Sequence, residues 1–312
     1  MKGLGVLEKR GFVNRHPQRG YFVADRDRPQ SAIGQIALIT QALSGDTSPY
    51  AKGISDAIDH EEFTLSIFSA HADLGKYQRT IEQVARFKPA GVILTLMPEE
   101  ICRINPAPLL EAEIPLVALG PYVPDLACDR VIHTGWDSGK RVARYLLRCQ
   151  TSNPAILMVA PRKEHADMVA GIRKGLEPAG IELPEERIFV IDAPHGHDPV
   201  PDPYIDAEEQ MARLLREGLT CDSLICCHDY PAVGALRAIL SAKIDVPNEM
   251  KVISSCRCAV EGVSPMKLTT VDSHHEEQGR LAAELLRRRI DGHDGPPEVH
   301  YVTGELIEGE TT

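Results

Sequence analysis

Residues Thr64–Leu96 read TLSIFSAHADLGKYQRTIEQVARFKPAGVILTL and contain two short apolar runs on either side of an amphipathic stretch. The outer runs, Thr64–Ser69 and Gly91–Leu96, have the length and apolar character of buried strands. The stretch between them, Lys76–Phe87, has the pattern of a surface helix. We therefore predict a strand–helix–strand unit, which is the building block of a parallel sheet.

The same alternation of strand and helix continues along most of the chain. In the first half, further strands are predicted at Ile33–Thr40, Pro115–Leu119 and Arg130–His133, with helices at Ser48–Ile58, Pro106–Ala112 and Ser138–Arg148. In the second half, strands are predicted at Ala155–Val159, Arg187–Ile191, Ser223–Cys227 and Lys251–Ser255, with helices at His165–Glu177, Ala207–Glu217, Tyr230–Ala242 and His275–Ile290. This pattern predicts an α/β protein with two doubly wound parallel-sheet lobes, whose ligand binds beyond the carboxyl ends of the strands.

Length, composition and charge agree with a globular chain that has a basic beginning. The chain has 312 residues, of which 43% are hydrophobic and 25% charged, and this is enough for two lobes with cores. The net charge is -11, but residues 1–30 hold seven Lys or Arg against three Asp or Glu, a net of +4 that leaves -15 for the rest. A basic end on an acidic body suits a protein that contacts nucleic acid with that end alone.

The cysteines and the beginning of the chain bear on the compartment. The eight cysteines follow no repeated spacing and are expected to be reduced: Cys102, Cys128, Cys149, Cys221, Cys226, Cys227, Cys256 and Cys258. Adjacent Cys226 and Cys227 on a strand are expected to point to opposite faces. A signal peptide and a membrane-spanning run are not recognisable in the sequence, so we expect a cytoplasmic protein that does not associate with membranes.

The first residues suggest a β-hairpin. After a helix end at Leu7–Arg10, Gly11–Val23 fits a strand, a turn at Pro17–Gly20 and a second strand. This segment resembles the wing of GntR-type winged helix-turn-helix regulators, although Gln18 replaces the first glycine of the family's turn. The resemblance implies DNA contacts, which would come from Arg15, His16, Arg19 and Tyr21. The alternative is an ordinary surface hairpin.

The remainder resembles the effector-binding region of LacI/GalR-type regulators, which have the fold of type I periplasmic sugar-binding proteins. The resemblance rests on the order and spacing of several segments, more than on any single motif. The segments are Ser48–Ile54, Pro89–Leu94, Asp137 with Tyr145–Leu147, Ala170–Leu176, His228–Leu236, Val246–Pro247 and Leu268–Val271. A GntR-like wing joined to such a sensor is the arrangement of arabinose-repressor-like regulators. The resemblance implies a transcriptional regulator and not an enzyme, in which a small molecule changes how a homodimer binds operator DNA.

The resemblance also predicts how the chain is divided. Residues 1–24 would be a partial winged helix, and 25–31 a linker. The N-terminal lobe would comprise 32–149 and about 273–295, and the C-terminal lobe 150–272 and about 296–312. Because a complete recognition helix is not recognisable in this sequence, we expect specific operator binding only where a complete head is present. A stand-alone binding protein of the same fold, used for transport or sensing, is the alternative.

Several positions depart from the polar set that holds sugars in this family. The family's arginine falls on Met168, an aspartate falls on Cys256, and an asparagine falls on His228, whereas Asp137 is kept. Because bidentate, charge-assisted hydrogen bonds discriminate sugars well, their loss argues against a standard hexose or pentose. The effector is then either a carbohydrate held differently or another polar or aromatic molecule.

The expected ligand-binding residues are rich in histidine and aromatic side chains, which suit stacking and single hydrogen bonds. They are Ser48, Tyr50, His71, Thr95, Trp136 and Asp137 from one side, and Met168, His228, Tyr230, Cys256 and His275 from the other. The alternative is that Trp136 and Tyr230 are core residues of the interface between the lobes and that Met168 is a residue that packs its helix.

Metal and catalytic sites are not predicted. The clusters His195–Asp198, His228–Asp229 and Asp272–Glu276 contain donor side chains, but none has the helical His pair of a metallohydrolase. The chain also shows neither a nucleophile elbow nor a phosphate-binding loop. The sequence therefore assigns no cofactor, no metal and no catalytic residue.

Overall fold

The fold is described from a computed structural model of the chain. It describes residues 13–16, 20–23, 34–40, 47–70, 73–95, 104–120, 127–159, 163–191, 203–258, 260 and 262–312. Within these ranges the structure contains two six-stranded sheets and one two-stranded hairpin. The hairpin pairs β1 (Val13–His16) antiparallel with β2 (Gly20–Val23), as predicted.

The first lobe is built on a sheet of order β13-β7-β6-β5-β3-β4, in which every pair is parallel. Its strands are β3 (Gly34–Thr40), β4 (Phe63–Ser69), β5 (Gly91–Thr95), β6 (Leu116–Leu119), β7 (Asp129–Ile132) and β13 (Val299–Tyr301). Its helices are α1 (Thr47–Ala57), α2 (Leu74–Phe87), α3 (Ala107–Glu111) and α8 (His275–Ile290). These helices belong to the first lobe because they form cores with its sheet: α2 and α3 pack on one face, and α1 and α8 on the other.

The second lobe repeats this plan with the order β14-β12-β11-β10-β8-β9. Its strands are β8 (Pro154–Val159), β9 (Ile188–Ile191), β10 (Ser223–Cys226), β11 (Lys251–Ser254), β12 (Thr269–Asp272) and β14 (Glu305–Ile307). Its helices are α4 (Gly135–Arg148), α5 (Lys163–Leu176), α6 (Pro203–Arg216) and α7 (Asp229–Ser241). Only β14 of this sheet runs antiparallel to its neighbour.

Glycines allow two pairs of helices to cross closely, one pair in each lobe. A Cβ on Gly53 of α1 would lie 1.9 Å from the carbonyl oxygen of Glu276 on α8. A Cβ on Gly139 of α4 would lie 2.1 Å from the carbonyl oxygen of Met168 on α5. Both distances are too short for real atoms, so each crossing requires glycine. The two lobes therefore use the same device at corresponding helix pairs.

Three chain crossings join the lobes, and all lie at the carboxyl ends of strands. They run from β7 to α4, from β12 to α8, and from β13 to β14. The imidazole of His133 connects two of them, because Nδ1 lies 3.1 Å from the carbonyl oxygen of Val302 and Nε2 lies 2.8 Å from Oγ of Ser138. The carboxyl ends of both sheets consequently flank the same hinge.

Two segments belong to a different lobe from the one that was predicted for them. Helix α4 packs on the second sheet through Val142 and Leu146, so the crossing precedes this helix and does not follow residue 149. Strand β13, within the predicted 296–312 segment of the second lobe, pairs with β7 of the first. These short terminal strands carry little apolar pattern, and for that reason the sequence did not predict β13 or β14. Among the described helices, none is both long and apolar enough to span a bilayer.

Candidate functional site

The candidate site lies where the strands of the second sheet end and their helices begin. Strand β10 ends at Cys226 and α7 begins at Asp229, with His228 as the residue that precedes the helix. Its parallel neighbour β8 ends at Val159 and is followed by α5. Ligands of open α/β sheets bind at this edge.

Asp229 is the centre of a buried hydrogen-bond network at this edge. Its side chain is 1% exposed and accepts bonds from Oγ of Ser254, from Oγ1 of Thr270 at 2.8 Å and from the backbone N–H of Cys258 at 3.0 Å. Burial raises the pKa of Asp229 above its usual value, although these hydrogen bonds oppose the change. Asp229 thus joins the ends of β10, β11 and β12 and orients the residues beside it.

His228 lies beside several of the aromatic and sulfur-containing residues of the site. Its ring centroid is 6.0 Å from that of Tyr230 and 6.2 Å from that of His165. Tyr230 also contacts Tyr204 edge to face, with centroids 5.6 Å apart. His165 and Cys227 are almost completely buried, at 4% and 3% exposure, and each offers one donor atom within 4.8 Å of a donor atom of His228. The structure therefore brings together a predicted residue, His228, and two that were not predicted as site residues.

Met168 and Cys256 line the same region with sulfur atoms. Oγ of Ser255 lies 2.8 Å from Sδ of Met168 and 2.7 Å from the carbonyl oxygen of Cys227. Met168 is 2% exposed and belongs to the core between α4, α5 and the second sheet, in agreement with the packing alternative. Cys256 is half-buried, and Oγ of Ser273 lies 3.7 Å from its sulfur.

The first-lobe side consists of an aromatic pair beside a buried amide. Tyr50 and His275 contact edge to face with centroids 5.0 Å apart, and the Tyr50 hydroxyl donates to Oε1 of Gln278 at 3.4 Å. Nε2 of Gln278 in turn donates to the carbonyl oxygen of Ser273 at 2.7 Å. His275 was predicted on the opposite side from Tyr50. It lies on the same side because α8 packs on the first sheet.

Other predicted residues lie apart from this group. Thr95 ends β5, and its hydroxyl donates to the carbonyl oxygen of Ile39 at 3.3 Å. Trp136 and Asp137 were predicted on the first-lobe side but begin α4, where Asp137 accepts a 2.6 Å bond from the capping Thr134. Trp136 is 39% exposed, and Ser48 is an exposed residue of α1. His71 and the His195–Asp198 cluster lie outside the described residues.

Four residues of the site were not predicted from the sequence, namely His165, Cys227, Asp229 and Gln278. Cys227 directly follows β10, and each of the other three stands in the first turn of a helix that follows a strand, where a polar side chain comes close to the sheet edge. An acidic residue two positions after the apolar run Ser223–Cys227 was the available signal for Asp229. His165 and Gln278 had no signal in local sequence, because only the packing of separate elements brings them to the site.

Comparisons with known proteins agree with this fold. A family model described as a periplasmic binding protein-like domain matches residues 145–312. The chain is 25% identical to an arabinose metabolism transcriptional repressor of Halalkalibacterium halodurans, over 99% of this chain and 85% of the relative. It is 24% identical to the HTH-type transcriptional repressor PurR of Glaesserella parasuis, over 89% of this chain and 78% of the relative.

A similar solved structure is a complex with a sugar. The complex of the transcriptional regulator CelR with cellobiose superposes with a TM-score of 0.76 and 19% identity, over 99% of this chain and 89% of the other. At this identity the similarity concerns the fold. It agrees with two parallel-sheet lobes joined at the carboxyl ends of their strands.

Proposed function

The chain belongs to the periplasmic-binding-protein-like domain family, and on that premise we propose that it is the effector-binding part of a transcriptional regulator. A small molecule binds between the lobes at the carboxyl ends of their strands. Binding favours one lobe arrangement over another and so changes the affinity for operator DNA. We assign the chain no catalytic activity.

The observation that carries this proposal is the position of the three chain crossings. Because all of them lie at the carboxyl ends of the strands, a ligand held there contacts both lobes next to the hinge. The relatives support the regulatory role, since two of them are named as transcriptional repressors over most of this chain.

The chemistry of the site favours an effector with a planar or weakly polar face. His228 and Tyr230 on one lobe, and Tyr50 with His275 on the other, offer ring surfaces and single hydrogen bonds. A carbohydrate can stack on such rings, and a nitrogen heterocycle can do so as well. We therefore place Tyr50, His228, Tyr230 and His275 next to the effector. The other residues that the sequence predicted stay predictions, namely Ser48, His71, Thr95, Trp136, Asp137, Met168 and Cys256.

Thermal unfolding in the presence of defined compounds tests this function. L-arabinose, D-ribose, cellobiose and hypoxanthine would each be added to the wild-type chain at millimolar concentration. We expect one class to raise the Tm, because a ligand that binds only the folded state stabilises it. His228→Ala should reduce that rise, whereas His293→Ala, at an exposed position beyond α8, should leave it unchanged. A rise that is equal in all three proteins would exclude this site.

The DNA-binding end is a separate part of the proposal. We assign the β1–β2 hairpin as a wing, with Arg15, His16 and Tyr21 on its strands and Arg19, which lies outside the described residues, in its turn. Operator binding is expected where a complete head is present. The Arg15→Ala/Arg19→Ala double variant should bind a mixed-sequence duplex more weakly at low salt, with a smaller salt dependence, in a fluorescence anisotropy titration. Equal binding by both proteins would argue for an ordinary surface hairpin.

The homodimer is proposed from the family resemblance. Sedimentation velocity at micromolar concentration measures it directly. A particle of about twice the 34.3 kDa chain mass is expected. A 34.3 kDa particle at every concentration would contradict the dimer and leave the effector site untouched.

A further inference from the structure

We propose that His165, Cys227 and His228 form a binding site for one divalent transition-metal ion of the zinc class. One imidazole nitrogen from each histidine and the sulfur of Cys227 lie within 4.8 Å of one another. Cys227 and His228 connect β10 to α7, and His165 lies in the first turn of α5, the helix that follows the neighbouring strand β8. This site goes beyond the proposed function, and its existence does not depend on it.

The donor set and its spacing fit zinc coordination. Tetrahedral zinc takes imidazole nitrogen at about 2.0–2.1 Å and thiolate sulfur at about 2.3 Å, so its donors lie roughly 3.3–3.8 Å apart. The observed upper limit of 4.8 Å requires a closure on the order of 1 Å, which side-chain rotation can supply. Two imidazoles and a thiolate also favour zinc over magnesium or calcium, which prefer oxygen ligands.

The backbone that carries two of the donors is held in place. The N–H of Cys227 donates to the carbonyl oxygen of Leu157 at 3.3 Å, and its own carbonyl oxygen accepts from Ser255. The next residue after the pair, Asp229, is fixed by its three hydrogen bonds. A metal site with supported ligands binds more tightly than one on mobile side chains, because less ordering is needed on binding.

The adjacent cysteine explains how the thiol comes to face the histidines. Cys226 and Cys227 belong to different cores, on opposite faces of the second sheet, as the sequence predicted. Cys226 points towards α6 and α7, and burial raises its thiol pKa well above the usual value. Cys227 points to the opposite face, where α5 contributes His165.

Three protein donors leave one coordination position for water or for a donor atom of a bound molecule. Tyr230 and Cys256 belong to the same edge of the sheet, since the Tyr230 ring centroid is 6.0 Å from that of His228 and the N–H of Asp229 donates to the carbonyl oxygen of Cys256 at 3.1 Å. Because the thiol must lose its proton when it binds the ion, metal affinity should rise with pH. An imidazole that binds the ion must likewise be neutral.

Cobalt(II) provides the test, because a thiolate bound to it gives a near-ultraviolet charge-transfer band and tetrahedral geometry gives strong visible bands. The full chain, without a polyhistidine tag and after treatment with a chelator, would be titrated with Co²⁺ and then with Zn²⁺. We expect one Co²⁺ per chain, both band types, and loss of the bands when Zn²⁺ displaces Co²⁺. A wild-type chain without these bands would overturn the proposal.

Variants locate the ion if it binds. Cys227→Ser should abolish the charge-transfer band, and His165→Gln should weaken Co²⁺ binding at least tenfold. Cys149→Ser and His300→Gln, at half-buried positions elsewhere, should retain wild-type spectra. Circular dichroism would verify that each variant is folded. If a ligand variant does not fold, His228→Gln, which removes another of the three donors, would be used in its place. Bands that survive in Cys227→Ser, or that are lost in Cys149→Ser, would place the ion elsewhere and overturn the assignment.

Discussion

Strand β10 begins next to one carboxylate and ends next to another, and the two have opposite properties. At its amino end, burial would raise the pKa of Asp222, but bonds from Thr151, Ser152 and Asn153 outweigh burial and lower the pKa to about 2. At its carboxyl end, burial prevails over the hydrogen bonds and raises the pKa of Asp229. One strand thus connects a carboxylate that is stabilised in its charged form with one that is not.

The first lobe has the same kind of anchor at its amino end. Asp129 at the start of β7 is 2% exposed and forms two 2.7 Å bonds with the guanidinium of Arg289 on α8. Burial opposes ionisation of Asp129, but Arg289 prevails and lowers its pKa. The amino ends of both sheets are therefore fixed by charged carboxylates.

The difference in carboxylate ionisation distinguishes the amino ends of the sheets, which are structural, from the carboxyl ends, where the candidate site lies. The ionised, paired carboxylates of Asp129 and Asp222 fix the amino ends of β7 and β10, whereas Asp229, whose ionisation is disfavoured, lies at the carboxyl end of β10, where ligands bind. Four substitutions test this division.

The largest effect is expected for Arg289→Ala. It leaves the buried Asp129 without its cation, and loss of one partner of a buried ion pair costs about 3–5 kcal/mol in the free energy of unfolding. Denaturant unfolding measures this loss in the free energy of unfolding. Arg288→Ala, which removes a more exposed pair with Glu298, should cost less than about 1 kcal/mol. Similar costs for the two variants would contradict the role of the Asp129–Arg289 pair in fixing the amino end of the first sheet.

The next effect is expected for Asp229→Ala, at about 2–4 kcal/mol, because two hydroxyls and one backbone N–H lose their buried acceptor. Asp229→Asn keeps one acceptor oxygen and should cost less. Since the folded pKa is raised, the stability that Asp229 contributes is full below pH 3.8 and declines as the pH rises through the folded value. Asp229→Asn should remove this decline. An unchanged pH profile would contradict the description of Asp229.

Asp222→Asn should show the opposite dependence on pH. The lowered pKa means that the stability from Asp222 is present above pH 3.8 and is lost as the pH falls towards about 2. At neutral pH the substitution should cost about 1–3 kcal/mol, and its cost should shrink in acid. Unfolding curves at several pH values measure this, with Glu217→Gln at an exposed neighbouring position as the control. A cost that does not depend on pH would mean that the charge of Asp222 is unimportant.

The smallest effect is expected for Tyr50→Phe. Its hydroxyl makes a long 3.4 Å bond to Gln278, so its loss should cost less than about 1 kcal/mol. The ring contact with His275 is kept. If thermal unfolding shows a larger loss, the first-lobe side depends on this hydroxyl more than its geometry indicates.

The sequence predicted the repeated framework far better than the site. Strands such as Lys251–Ser254 and helices such as Asp229–Ser241 end within one residue of their predicted bounds, because apolar periodicity is a local property of the sequence. The side of the hinge on which Trp136 lies, and the proximity of His165 to Cys227, depend on which sheet each helix packs against. That choice is made by tertiary packing, which local patterns do not encode.

Hydrogen–deuterium exchange with and without a bound effector shows whether the effector binds at the carboxyl ends of the strands. The effector would be whichever of the four compounds raises the Tm most. We predict added protection in 227–230 and 256–258, at the carboxyl end of the second sheet, and in 273–278, where the chain crosses from β12 to α8 of the first lobe. Exchange at the amino-end segments 129–130 and 151–153 should be unchanged. Protection that is absent from the carboxyl ends, or that is equal at both ends, would contradict the assignment of the effector site.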